Sequence, residues 1–99
     1  MNKLPEKALQ SYLQNLINKV YKILPMKEEQ CATLSSYLFS LRNELIGCYR
    51  LWDVLKDKPQ FLTVVSIIEY LATEEYDVSE CRREVFKAIG LIESIAKEG

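Results

Sequence analysis

The sequence predicts an all-α protein: an antiparallel up-down-up-down four-helix bundle with a long second helix. Three observations lead there. Apolar residues recur at alternating spacings of three and four in four successive stretches, the mark of one buried face on a helix. Only three glycines and three prolines interrupt the 99 residues, so there is little to break those stretches. The links between them are two to four residues long, which brings consecutive helices into antiparallel contact. With 48% hydrophobic and 27% charged residues, the chain reads as a single helical domain over residues 1–99. A core of that size leaves a thin stability margin, which association would widen.

The first helix is expected over about residues 5–24, with Leu9, Leu13, Leu16, Val20 and Ile23 on its apolar face. Pro5 is tolerated in a first turn, where the amide has no helical partner, and Pro25 is expected to stop the helix. The second is expected over about residues 28–56, opened by Glu28 and Glu29 at the positive end of its dipole. Cys31, Leu34, Leu38, Leu41, Leu45, Cys48, Trp52 and Leu55 keep phase straight across Gly47. An interior glycine costs only about 1 kcal/mol, so the pattern predicts continuity there.

Asp57 and Gln60 suggest a capping box for a third helix over about residues 58–73, whose core face is Phe61, Val64, Val65, Ile68, Leu71 and Ala72. The β-branched run Thr63-Val64-Val65 offers a strand instead. A lone strand would leave its backbone groups unpaired, which favours the helix. Asp77 caps a fourth helix over about residues 78–97, with Val78, Cys81, Val85, Ala88, Ile92 and Ile95 inward.

Histidine is absent, which removes the commonest general base and transition-metal ligand. Cys31, Cys48 and Cys81 all fall on the apolar seams, so each is expected to be a buried packing thiol. They are too scattered for a zinc site or a disulfide framework, and a reducing cytoplasm is the simpler setting. Met1-Asn2-Lys3-Leu4-Pro5-Glu6 lacks the apolar start of a secretory signal, and no run approaches the ~20 apolar residues of a membrane span. Gly47, Gly90 and Gly99 are isolated, so no phosphate-cradling loop is present. No enzyme activity, cofactor, metal ligand or catalytic residue is expected. Glu74-x-x-Asp77 resembles half of the signature of all-helical nucleotide pyrophosphatases, but no Glu-x-x-Glu precedes it. A carboxylate-metal nucleotide hydrolase is therefore the weakest of three functional readings.

The net charge is -1, yet it is unevenly spread. Residues 1–27 hold five lysines against Glu6, whereas residues 28–99 hold eight basic and thirteen acidic side chains. Lys3, Lys7, Lys19 and Lys22 are thus candidate nucleic-acid contacts. The plainer expectation is a solvated face whose lysines meet the acidic region from Glu69 to Asp77.

The most informative anomaly lies on the second helix. On a wheel with Leu38 at zero, Phe39 and Ile46 fall about 80–100° from the core direction. Ala32 lies on the same side, Tyr49 at its edge, and Arg42, Arg50 and Asp53 flank it. Aromatic and arginine enrichment over an apolar centre is interface composition. The main expectation is therefore a small non-catalytic protein that binds or inhibits a partner protein, as a homodimer, through Phe39, Ile46, Arg42, Tyr49, Arg50 and Asp53. An accessory subunit touching nucleic acid through the first helix is the alternative. In size and outline alone the chain resembles bacteriocin-immunity proteins and phage-encoded inhibitors.

Overall fold

The structure, a computed structural model, describes residues 5–98, and every element among them is helical. These are α1 (Pro5–Tyr21), α2 (Ile23–Glu28), α3 (Leu34–Leu51), a 3-10 turn (Asp53–Asp57), α4 (Pro59–Thr73) and α5 (Val78–Glu98). The third stretch is helical rather than extended, and α3 runs unbroken through Gly47, as the periodicity requires. Asp77 caps α5 as expected, its Oδ1 accepting the Glu80 N–H at 2.8 Å.

Three boundaries differ from expectation, each for a local reason. Pro25 does not stop the first helix, which resumes as α2 and continues to Glu28. Proline has no N–H to offer the carbonyl four residues earlier, and its ring crowds that carbonyl. The helix is therefore interrupted at Lys22, next to Tyr21, rather than at the proline itself.

The second helix does not begin at 28. Glu28 closes α2, and Gln30 adopts φ 55°, in the left-handed region. The Cys31 N–H donates to the Met26 carbonyl at 2.9 Å and the Gln30 N–H to the Lys27 carbonyl at 3.1 Å. This is the Schellman pattern that terminates helices, with glutamine where glycine is usual. Cys31 is consequently exposed in a turn and not on a seam.

The same helix ends at Leu51, not at 56. Trp52 is extended (φ -106°, ψ 107°), its ring packs on Tyr12 with centroids 5.6 Å apart, and the following 3-10 turn carries Leu55 into the core. The second helix is therefore not the long one expected: α3 has 18 residues and α5 has 21. The expected capping box before α4 is also not formed. Lys58, not Asp57, precedes the helix, and Gln60 instead donates to Glu98 at 2.8 Å.

One cluster of buried side chains joins all the elements, including Leu13 and Leu16 of α1, Leu38 and Leu45 of α3, Phe61 and Ile68 of α4, and Ile92 and Ile95 of α5. Side-chain bonds tie neighbours together. Gln10 donates to the Ala96 carbonyl at 2.8 Å, joining α1 to α5, and Gln60 reaches Ser94 at 3.4 Å, joining α4 to α5. Tyr49 stacks on Phe61 between α3 and α4, with centroids 6.2 Å apart and 12° between planes. The α1–α3 seam is different, because no Cα of one lies within 8 Å of the other among the described residues. Long polar side chains close it. Glu44 accepts from the Tyr12 hydroxyl at 2.8 Å and from Lys19 at 2.9 Å, and the Tyr37 hydroxyl donates to the Lys19 carbonyl at 2.6 Å.

Candidate functional site

The strip singled out on the second helix divides into parts with different surroundings. Phe39 is 37% exposed on α3. The Arg42 guanidinium lies over its ring, 5.5 Å from the centroid, and reaches Glu69 of α4 at 3.6 Å. Arg42 and Phe39 are three residues apart, so the helix sets them on adjoining positions of one face. The Arg42 Nε is shielded from solvent and has no hydrogen-bond partner. Ile46 is half-buried one turn further along.

Tyr49 is half-buried, and its ring serves the internal stack on Phe61. Arg50 is exposed and forms no ion pair among the described residues. Asp53 lies in the 3-10 turn and pairs with Lys56 at 3.1 Å. Ala32 belongs to the turn before α3 and is separate from the strip. The structure therefore keeps Phe39, Arg42, Ile46 and Arg50 along one side of α3, and turns Tyr49 to the Phe61 stack and Asp53 to the 3-10 turn.

On α4, Leu62 is 48% exposed, one residue beyond the Phe61 that meets Tyr49. Leu51, at the end of α3, is 74% exposed. Neither was among the expected site residues. Leu62 follows a seam residue directly, so the helix turns it about 100° away from the core. An apolar side chain immediately after a seam position is the signal that could have located it, and Tyr21 after Val20 and Phe86 after Val85 share it.

The lysine-bearing first helix is divided as well. Lys3 lies outside the described residues. Lys7 and Lys22 are exposed, whereas Lys19 is engaged with Glu44 on α3 and not with the acidic 69–77 region expected to meet it. That region does meet Lys27, whose Nζ stands 4.5 Å from the Tyr76 ring centroid. Glu44 is thus a bridge between helices, and no three acidic or thiol side chains gather as a ligand set among the described residues.

The three cysteines are free thiols in three environments. Cys31 is exposed beside a cleft of about 450 Å³ lined by Lys27, Leu34, Leu71, Glu75 and Tyr76. Its Sγ is 3.2 Å from the Thr33 hydroxyl, and hydrogen bonding from Thr33 lowers the thiol below its ordinary range. Cys81 is fully buried, and that burial pushes its thiol up. Alkylation of the native protein at neutral pH should accordingly label Cys31 first, Cys48 slowly and Cys81 only on unfolding. Mass mapping of the labelled peptides checks this order, and early labelling of Cys81 would contradict its place in the core.

No helix among the described residues is long and apolar enough to cross a membrane. Comparison with protein-family models, with curated proteins and with solved structures gives no match to this chain.

Proposed function

We propose that this chain is a non-catalytic helical protein of the cytoplasm that acts by binding protein surfaces, and that its α3–α4 face pairs first with a second copy of itself. The observation that carries this is the Phe39–Arg42–Glu69 cluster, an exposed aromatic ring with an arginine already laid across it and tethered to the neighbouring helix. Aromatic and arginine side chains dominate the centres of interfaces, and side chains held in place before association lose less entropy on binding. Exposed Leu62 extends the apolar area on α4. The arrangement is read as an antiparallel up-down-up-down bundle. As α3 advances from Arg42 to Tyr49, its partners on α4 fall back from Glu69 to Phe61. As α1 advances from Gln10 to Tyr21, its partners on α5 fall back from Ala96 to Phe86. The unpaired state of all three cysteines accords with a reducing compartment.

A two-fold pairing places each face against its own copy, so one substitution strikes the interface twice. Phe39→Asp is the sharper probe than Ile46→Lys, since Phe39 is the more exposed of the two and lies under the Arg42 guanidinium. It would set two unpaired carboxylates in a desolvated patch, at about 2–5 kcal/mol in all. Sedimentation at micromolar concentration, with helicity recorded alongside, should show a wild-type dimer and a folded monomeric variant. A wild-type monomer would reject self-pairing, and a dimer indifferent to Phe39→Asp would reject this face.

A further inference from the structure

On the side of the molecule formed by α1 and α5, Tyr21 and Phe86 meet edge to face, their centroids 5.9 Å apart at 80°. They are 43% and 47% exposed, and neither belongs to the buried cluster. Tyr21 is the last residue of α1, and the helix is interrupted at the next residue, Lys22. Cations adjoin both rings in sequence. Lys87 follows Phe86 and is exposed without an ion pair among the described residues, whereas Lys22, after Tyr21, lies with Tyr12, Asn15 and Lys19 on the other flank of α1. Arg83 lies one turn before Phe86 and reaches only carboxylates of its own helix, Glu84 at 3.7 Å and Glu80 at 4.0 Å. Exposed pairs of that kind contribute little to stability, so a phosphate can replace them.

Gly90 adds an independent observation. It follows Phe86 by four residues, about 40° round the helix and one turn along. It is exposed in the interior of α5, and a Cβ placed there would meet nothing within 4 Å. Glycine in a helix interior costs about 0.5–1 kcal/mol relative to alanine, and no internal packing offsets that cost. What the bare backbone provides is room for a group approaching from outside, beside an open aromatic face.

We propose that this Tyr21–Phe86 face binds single-stranded nucleic acid, with a base stacked on Phe86 over Gly90 and neighbouring phosphates held by Lys87 and Arg83. An acidic protein segment would use the cations but leave the ring and the glycine without purpose. A duplex keeps its base faces stacked on one another. Single strands offer both a free base face and a phosphate chain, the combination recognised by aromatic platforms set among cations. The proposal is independent of pairing at the α3–α4 face, which lies on other helices.

The test is fluorescence anisotropy with a labelled single-stranded oligonucleotide of about twelve residues, a length within the usual single-strand site range. The same sequence as a duplex and polyglutamate serve as competitors. Binding in the tens of micromolar is expected, falling with salt at a logarithmic slope of about -1.4 for two phosphate contacts. Phe86→Ala should weaken it about ten-fold or more, Gly90→Leu should weaken it while helicity is retained, and Lys87→Glu should lower both affinity and salt slope. No binding at about 100 µM protein in low salt, the weak end of non-specific affinity, would overturn the proposal. So would equal competition by polyglutamate with Phe86→Ala and Gly90→Leu without effect, which would mark the face as a site for acidic protein.

Discussion

Phe61→Ala is expected to destabilise the protein by about 3–5 kcal/mol, the cost of removing a large buried aromatic side chain. Phe61 is fully buried in the first turn of α4, directly after the 3-10 turn. Its N–H donates to the Lys58 carbonyl at 2.9 Å, and its ring stacks on Tyr49. The cavity left by alanine would therefore open where α3, the 3-10 turn and α4 converge. A domain of this length has a total stability of about 5–15 kcal/mol, so the variant should stand close to unfolding at room temperature. Urea titration followed by helicity gives the number. A loss below about 1 kcal/mol would mean that the ring is not packed in solution as it is here. Phe61→Leu, which keeps most of the volume, should cost much less.

The spacing of apolar residues made visible most of the side chains that are inside, though not Ile17, Ile67 and Ile89, and it did not show the hydrogen bonding that carries them there. Trp52 and Leu55 keep the three-four phase of α3, and both do pack inward, yet an extended residue and a 3-10 turn deliver them instead of a continuing α-helix. Periodicity reports direction along the chain, and two backbone paths can satisfy it. The turn at Gln30 was hidden for another reason: left-handed residues are usually read from glycine or asparagine, and here a glutamine occupies that place. Pro25 was visible, but its effect falls on the turn before it, which is why the interruption is found at Lys22.

The candidate surface was legible in part. A residue's angle on the wheel separates core from non-core, but whether a flanking position is exposed depends on how far the neighbouring helix reaches around it. Tyr49 lies against α4, where its ring stacks on Phe61, and Ile46 is half-buried, whereas Phe39 is exposed. Glu44 takes its partners, Tyr12 and Lys19, from more than twenty residues away on another helix. Nothing in local sequence encodes such a pairing.

Those same long polar bridges set the response to alkali, where stability is expected to fall by about 2–4 kcal/mol as the pH rises from about 10 to 12. Burial, followed by hydrogen bonding to Cys48 and Glu44, holds the Tyr12 phenol far above its ordinary value. Burial pushes Tyr76 up to about 12, and burial with the Glu44 charge raises Tyr37. A phenol whose folded-state value exceeds its unfolded value near 10 contributes stability that is fully present below about pH 10. Above that point the unfolded chain releases its protons first, and the contribution is lost as pH rises through the folded-state value. A tenfold difference in proton affinity between the two states corresponds to about 1.4 kcal/mol. Tyr12 and Tyr76 are only part-buried, so each is assigned about 1–2 kcal/mol over this window after allowance for solvent screening. The measurement is a series of urea titrations at successive pH values on wild type and on Tyr12→Phe/Tyr76→Phe. The double variant loses the Tyr12 bond to Glu44 and the Tyr76 bond to the Leu71 carbonyl, so it should be less stable at neutral pH. Its stability should nevertheless decline less steeply above pH 10, because two of the titrating phenols are gone. Parallel decline in both proteins would assign the alkaline loss to lysines and other groups and remove the phenols from the explanation.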